Sequence, residues 1–275
     1  MRIFPIFFFS IYFFTISGIF GQTHIFDELQ QRGKTAIVAQ KNVVKNRLSE
    51  KDAAQAGLFK EGNSTFFNID KNAINDIISG QPELLRIKIP YNAVGDELSL
   101  LLFNKRPFAD GAVVTTNTGE RYPIAGGAYY RGTVEGDQHS VVALAFLDGE
   151  MKGVVSVDGH QYDIGKVEHS DVHVLYDATT VNMKAPGGCE VKYVDGYEHE
   201  VDKEASLEMR AADKCINIYF EASYSIYQNK GSVSAVESYI NAFFNVVATL
   251  YGNENVQVAI SEIFVWTTPD PFPIG

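Results

Sequence analysis

Apolar and polar residues alternate in a series of short runs between residues 85 and 176. Apolar residues take every second position of residues 85–89, which is typical of a strand with one buried face. Similar apolar runs lie at residues 98–103, 141–146, 153–157 and 172–176. Asp148-Gly149 and Asp158-Gly159 stand between runs and favour tight hairpin turns. The pattern predicts an antiparallel, β-rich region arranged as a sandwich or a barrel.

A shorter stretch ahead of these runs belongs to the same β-rich piece. Residues 65–69 predict a strand, and Asp70 is placed to cap a helix that follows. The spacing of Ile74, Ile77 and Ile78 gives that helix one apolar edge. Together these segments define a β-rich piece at residues 22–185.

The last part of the chain predicts a strand, a helix and a second strand. Residues 216–220 alternate between apolar and polar, and residues 256–266 form a second long apolar run. Ser234 and Glu237 fit a capping box at the start of the helix, and Gly252 is placed to end it. The helix shows one apolar face, made by Val236, Ile240, Phe243, Phe244, Val247, Leu250 and Tyr251.

A connection of this length makes the two strands parallel neighbours with a right-handed crossover, a βαβ unit. One such unit cannot complete a domain, because its sheet needs more strands. We therefore predict an α+β protein: an antiparallel β-rich piece is followed by an incomplete α/β unit at residues 214–275, which looks cut short.

An acidic connection separates the two pieces at residues 186–213. It begins with Pro186-Gly187-Gly188 and carries −5 of the chain's net charge of −11. Its acidic residues are Glu190, Asp195, Glu198, Glu200, Asp202, Glu204, Glu208 and Asp213, and its basic residues are Lys192, Lys203 and Arg210. Like charges repel, so the stretch indicates a solvated linker. It could also hold a site of proteolytic processing, for which Arg210 is the candidate.

The first residues predict a secretory signal peptide at residues 1–21. Met1 and Arg2 give a positive start, residues 3–20 are nearly all apolar, and small residues lead to a cleavage site at Gly21. An uncleaved anchor is the rival interpretation, but no basic cluster follows Gly21. No later run approaches about 20 apolar residues, so we expect a secreted protein with no stable membrane span after cleavage.

Composition excludes several classes of protein. Lys+Arg number 23 against 34 Asp+Glu, which argues against nucleic acid as a partner, because no broad basic face can form. Two cysteines cannot hold together a chain of 275 residues, so the fold must rest on an apolar core.

Common catalytic motifs are missing from the sequence. His169 and His173 have the spacing of four found in zinc-binding helices, but Ser170 stands where a zinc protease needs glutamate. The residues around His173 also read as a strand, which would turn the two side chains apart. Phosphate-binding glycine loops, Gly-x-Ser-x-Gly and Cys-x-x-Cys do not occur. The motifs therefore indicate no competent active site within these residues.

Two segments, one in each piece, carry a longer pattern. The first is Tyr130-Arg131-Gly132-Thr133-Val134-Glu135-Gly136, followed by Ser140-Val141-Val142-Ala143-Leu144 and Gly153-Val154-Val155. The second spans residues 215–270 and includes Asn241-Ala242-Phe243-Phe244-Asn245-Val246-Val247 and Trp266-Thr267-Thr268-Pro269-Asp270. In this order, behind a leader, they resemble the prodomain and the start of the catalytic domain of secreted zinc metalloproteases of the reprolysin/adamalysin type, within the metzincins. Bacterial members are the most similar.

The resemblance implies a latent zinc metalloendopeptidase that hydrolyses protein or peptide substrates after an activating protease releases the prodomain. The zinc would bind in the full-length protein to a His-Glu-x-x-His-x-x-Gly-x-x-His motif, which this chain lacks, so we expect these residues alone to be inactive and without zinc. In related prodomains a cysteine before the catalytic domain gives a thiolate to the zinc, and Cys189 takes that place. A disulfide between Cys189 and Cys215 is the alternative.

A different class of function is also open. The β-rich piece could be a secreted β-sandwich that binds a surface polysaccharide or a protein without catalysis. A free prodomain could also act as an inhibitor in trans. The protease hypothesis predicts a missing C-terminal half with histidines at fixed spacing, whereas the binding module predicts that residues 80–180 fold and bind a ligand alone.

Overall fold

A computed structural model of the chain describes residues 24–58, 63–91, 96–180 and 215–271. The fold is mixed α+β, as predicted, and strands predominate. The helices are α1 (His24–Arg32), α2 (Glu50–Gln55), α3 (Lys71–Gly80), α4 (Tyr224–Lys230) and α5 (Val233–Asn253). The strands are β1 (Val38–Gln40), β2 (Val44–Arg47), β3 (Ser64–Ile69), β4 (Leu84–Pro90), β5 (Glu97–Asn104), β6 (Phe108–Thr116), β7 (Arg121–Pro123), β8 (Ala128–Val134), β9 (Val141–Leu147), β10 (Glu150–Val157), β11 (His160–Lys166), β12 (Val172–Asp177), β13 (Cys215–Ala222) and β14 (Gln257–Val265).

Ten of the strands form one strongly curled sheet, here called the large sheet. Its order is β1-β4-β5-β8-β9-β10-β11-β12-β3-β2, and every pair except β1 with β4 is antiparallel. The end strands β1 and β2 are separated by only residues 41–43, so the sheet curls towards closure. Tyr91, after β4, and Tyr162, on β11, meet across it with their hydroxyls 3.1 Å apart. The predicted antiparallel β-rich piece is therefore one curled sheet, closer to a barrel than to a sandwich.

The local signals of the β-rich piece are confirmed. Asp148-Gly149 and Asp158-Gly159 form the hairpin turns, and both residues of each pair have positive φ. Asp70 caps α3 by accepting hydrogen bonds from the backbone N–H groups of Asn72 and Ala73. The buried edge of α3, at Ile74 and Ile77, then packs into the core of the large sheet.

Gly153 and Gly132 lie where neighbouring strands come closest. Gly153 has φ of +150°, and a Cβ added there would overlap the carbonyl of Ala143 on β9. A Cβ added at Gly132 would overlap the carbonyl of Leu101 on β5. Both glycines belong to the longer sequence pattern, and the structure assigns them a physical role: they let the strands of the curled sheet approach each other.

The other four strands form a small sheet in the order β13-β14-β6-β7. β13 and β14 are parallel, with α4 and α5 in the connection, which confirms the predicted parallel pairing. β6 is parallel to β14 on its other side, and β7 is antiparallel to β6. Because β6 and β7 come from residues 108–123, the two predicted pieces share this sheet.

The predicted capping box of α5 is wrong. The helix begins after Ser232, whose hydroxyl accepts from the backbone N–H of Ala235 at 3.1 Å. Glu237 instead turns towards the backbone at Ala125. Two serines stand two residues apart at this helix start, and the first of them lies in extended backbone, as a cap requires. The helix ends at Asn253, just beyond the predicted Gly252.

Helix α5 lies between the two sheets. Val236, Ile240 and Phe244 pack against the small sheet, as part of the predicted apolar face. The prediction of a single buried face is wrong, because Phe243 and Leu250 are about half exposed, on a flank that neither sheet covers. Among the described residues α5 is the one helix long and apolar enough to cross a membrane, and much of it is buried in the protein.

Candidate functional site

The structure describes only some of the site residues that were predicted from the sequence. Gly21, Cys189 and Arg210 lie outside the described residues, so the cleavage site, the zinc thiolate and the processing site stay predictions. Cys215 is the first residue of β13, where it is exposed and forms no disulfide with any of the described residues. In the described ranges no three His, Cys, Asp or Glu side chains converge to hold a metal ion. The described residues therefore do not form a zinc site.

The two histidines spaced four apart do not meet. His173 is buried on β12, the predicted strand, and His169 is exposed in the turn before it. The backbone N–H of Met151 donates to Nε2 of His173 at 3.4 Å, and Nδ1 has no partner among the described residues. Burial lowers the pKa of His173 to about 4, because a charged imidazole would lose its hydration. His173 therefore has a structural role as a buried side chain.

We predict that His173 makes the protein less stable in mild acid. The unfolded state takes up a proton below a pKa of about 6.5, whereas the folded state takes it up only near 4, so stability falls as the pH drops through that range. Between pH 7 and pH 5 the loss should be about 2 kcal/mol. Urea unfolding of the native protein and of His173→Gln at both pH values measures it; equal pH dependence in both proteins would contradict the assignment.

The largest group of buried polar side chains lies on α5, on the face that meets the large sheet. Glu237, Asn241, Asn245 and Thr249 are spaced by four residues and are all buried. Residues four apart share one helix face, so these four form a stripe, here called the polar stripe. Glu237 and Asn245 bond to the backbone of β8, β9 and the loop before β8. The stripe is therefore the contact between the helix of the C-terminal unit and the β-rich piece.

At the N-terminal end of the polar stripe, carboxylates reach across the contact. Oε1 of Glu237 accepts from the backbone N–H of Ala125 at 2.5 Å and from Nδ2 of Asn241 at 3.3 Å. The adjacent Ser238 donates its hydroxyl to Oδ2 of Asp148 in the β9–β10 turn at 2.6 Å. Burial, with the negative charge of Asp148, raises the pKa of Glu237, although its two hydrogen bonds act the other way.

In the middle of the polar stripe, Asn245 bonds directly to the large sheet. Its Nδ2 donates to the carbonyl of Leu144 on β9 at 3.0 Å and to that of Tyr130 on β8 at 3.4 Å. Further along α5, the Thr249 hydroxyl donates to the carbonyl of Asn245 at 2.6 Å. Asn245 is fully buried, so these two bonds satisfy its amide N–H₂ group, whereas its Oδ1 has no hydrogen-bond partner among the described residues.

Arg131 on β8 is a buried cation at the other end of the same contact. It is 3% exposed, and a Cβ added at Gly252 of α5 would lie 3.3 Å from its Nη1. Burial lowers the pKa of the guanidinium to about 10, and the charge of Glu28 acts in the opposite direction. Its Nε has no hydrogen-bond partner among the described residues. The contact thus combines these polar groups with a small apolar cluster, in which Ala242 of α5 packs against Tyr129, Ala145 and Leu147.

The polar stripe was not predicted from the sequence, although the sequence contains a pattern that indicates it. Four polar residues recur at a strict spacing of four along a mostly apolar helix. That pattern marks one helix face that meets a polar surface. No protein-family model matches the chain, so the resemblance to the metzincins stays a prediction.

Proposed function

We propose that the chain is the N-terminal part of a secreted, latent zinc metalloendopeptidase precursor. In this proposal residues 22–185 are the prodomain and residues 214–275 begin the catalytic domain. The parallel β13–β14 pair, crossed by α5, is the arrangement that the resemblance to the metzincins implies. The polar stripe supports the division, because a prodomain must leave, and polar contacts separate at a lower cost than an apolar core does.

The observation that carries the proposal is an open side on the unit of β13, α5 and β14. Among the described strands β13 pairs only with β14, which leaves one row of its backbone groups open. Large apolar side chains on β13 and α5 are also exposed: Ile216, Tyr219, Tyr239, Phe243, Leu250 and Tyr251. A free strand edge beside apolar side chains is what an α/β sheet presents where a further strand and helix would pack.

The activity of the full precursor would be hydrolysis of peptide bonds. A zinc ion held by the missing histidine motif would supply the activated water. The residues of this chain would serve latency instead: the β-rich piece covers one side of α5, and Cys189 is proposed to place a thiolate on the zinc. Export through the leader at residues 1–21, with cleavage at Gly21, would deliver the precursor outside the cell.

Reading the coding DNA beyond the codon for Gly275 tests this proposal. We expect an open frame that carries His-Glu-x-x-His-x-x-Gly-x-x-His about a hundred codons on. A stop codon directly after the codon for Gly275 would contradict the protease hypothesis. It would favour the alternative, a secreted binding or adhesion module without catalysis. In that case the open side of the C-terminal unit would be the surface to test with partners.

We predict that Cys189→Ala in the full-length precursor gives peptidase activity without processing. Without the thiolate, a zinc ion held by the histidine motif would be open to water, which peptide hydrolysis requires. Hydrolysis of a fluorogenic peptide by the uncut precursor measures this, and Cys215→Ala is the matched control. If Cys189→Ala stays latent, the switch is wrong. If both variants become active, a disulfide between the two cysteines explains latency better.

A further inference from the structure

The large sheet is complete without β6 and β7. The strands before and after them, β5 and β8, pair directly, with Leu100 opposite Val134 and Asn104 opposite Tyr130. Residues 105–127 therefore leave the large sheet and return to the same place. We call this excursion, which contains the hairpin of β6 and β7, the arm.

The arm forms its strand pairing outside the large sheet, with β14. The register places Val114 opposite Ile263 and Thr116 opposite Val265, and the backbone N–H of Ile260 donates to the carbonyl of Pro107 at 2.9 Å. Not every side chain follows this division, because Phe108 at the start of β6 also packs on Tyr129 of the large sheet, with ring centroids 5.1 Å apart. Val114 is fully buried among Ile260, Ile263 and the apolar face of α5, and it takes no part in the core of the large sheet.

The arm also occupies the one edge of β14 that β13 leaves free. Backbone pairing of this kind needs no covalent link between the strands, and it is a common way for one chain to recognise another. Here β6 and β14 are brought together although about 140 residues of chain separate them, and no tight turn sets their register. β6 and β14 therefore pair as two segments that are distant along the chain, without help from a connecting turn.

We propose that the arm is a docking strand, by which the β-rich piece holds the β13–α5–β14 unit even when the connection between them has been cut. The inference deepens the proposed function and rests on it for its meaning: cleavage between the pieces would not by itself release the prodomain. Two surfaces carry the attachment. The arm grips the edge of β14, and the large sheet binds the polar stripe of α5 on another side of the same unit.

The test begins with a recognition sequence for a site-specific protease, placed between Thr180 and Cys215 in the full chain. After complete cutting, size-exclusion chromatography with mass spectrometry shows whether the two pieces travel together. We expect a one-to-one complex at the elution volume of the uncut chain. Separation of the two pieces at micromolar concentration would overturn the inference.

Two variants then test whether the arm holds the two pieces together. Val114→Lys in the cut chain places a charge in the core of the small sheet and should weaken the complex on the order of 100-fold. Val113→Lys is the matched control, because the neighbouring side chain of a strand points to the opposite face, where Val113 is partly exposed beside Glu262. The control should bind like the unmodified chain.

Hydrogen exchange of the backbone amides shows whether Val114→Lys disturbs only the C-terminal unit or the large sheet as well. Protection of β8 and β9 in Val114→Lys shows that the large sheet is still folded, as expected because Val114 lies outside its core. If Val114→Lys leaves the complex as tight as Val113→Lys does, the arm is not the docking strand. The outcome does not depend on zinc. If the coding DNA stops after the codon for Gly275 and the cut pieces still stay joined, the proposed function is wrong and the docking strand stands.

Discussion

Gly153→Ala is expected to destabilise the protein by about 3–5 kcal/mol, a large fraction of the stability of a typical domain. The added Cβ overlaps the backbone carbonyl of Ala143, which cannot rotate away as a flexible side chain could. The φ of +150° adds strain, because residues other than glycine rarely adopt it. Gly153 lies in the middle of β10, which pairs with β9 and β11, so relief would have to displace central strands of the large sheet.

Thermal and urea unfolding measure this effect, and Gly165→Ala is the control. Gly165 lies on the neighbouring strand β11 with open space around its Cα, and its φ is ordinary, so the control should stay within about 0.5 kcal/mol of the native protein. We expect Gly153→Ala to melt about 10 °C lower. A variant that melts with the native protein would show that β9 and β10 do not approach each other as described.

Much of the fold was predictable because its signals are local. The Asp-Gly pairs at 148–149 and 158–159 specify turns by their own backbone preferences, and Asp70 caps α3 through groups two and three residues away. The parallel pairing of β13 and β14 followed from the length of the helical connection between them. None of these inferences needed knowledge of distant residues.

The arm could not be predicted for the opposite reason. Residues 108–116 alternate weakly and would suit the edge of any sheet. What places β6 beside β14 is the exclusion of β6 from the large sheet by the direct pairing of β5 with β8, and that depends on packing far along the chain. The exposed flank of α5 could not be predicted either, because the apolar residues of this helix cover more than one of its faces.

The polar stripe shows where local reasoning misled. Glu237 follows Ser234 by three residues, so a capping box was the natural interpretation. The cap is provided by Ser232, which leaves the Glu237 carboxylate free to accept from Ala125 across the contact. A buried carboxylate near the start of a helix can therefore belong to a tertiary contact, and only the partner's position distinguishes the two cases.

Asn245→Asp should have a comparably large effect on the contact between α5 and the large sheet. The two side chains have nearly the same size, so the change leaves no cavity. It replaces an amide that donates to the carbonyls of Leu144 and Tyr130 with a carboxylate that faces them as an acceptor. A fully buried charge without partners costs about 3–5 kcal/mol, so we expect the stability at pH 7 to fall by that amount.

The dependence on pH separates this cause from a general loss of packing. A protonated carboxyl can donate one hydrogen bond, so the deficit of Asn245→Asp against the native protein should shrink between pH 7 and pH 5, whereas a packing defect would not change. Asn229→Asp makes the same chemical change at an exposed site on α4 and should have little effect at either pH. Urea unfolding of the three proteins at both pH values gives the comparison. If Asn245→Asp loses no more stability than Asn229→Asp, Asn245 does not join α5 to the large sheet.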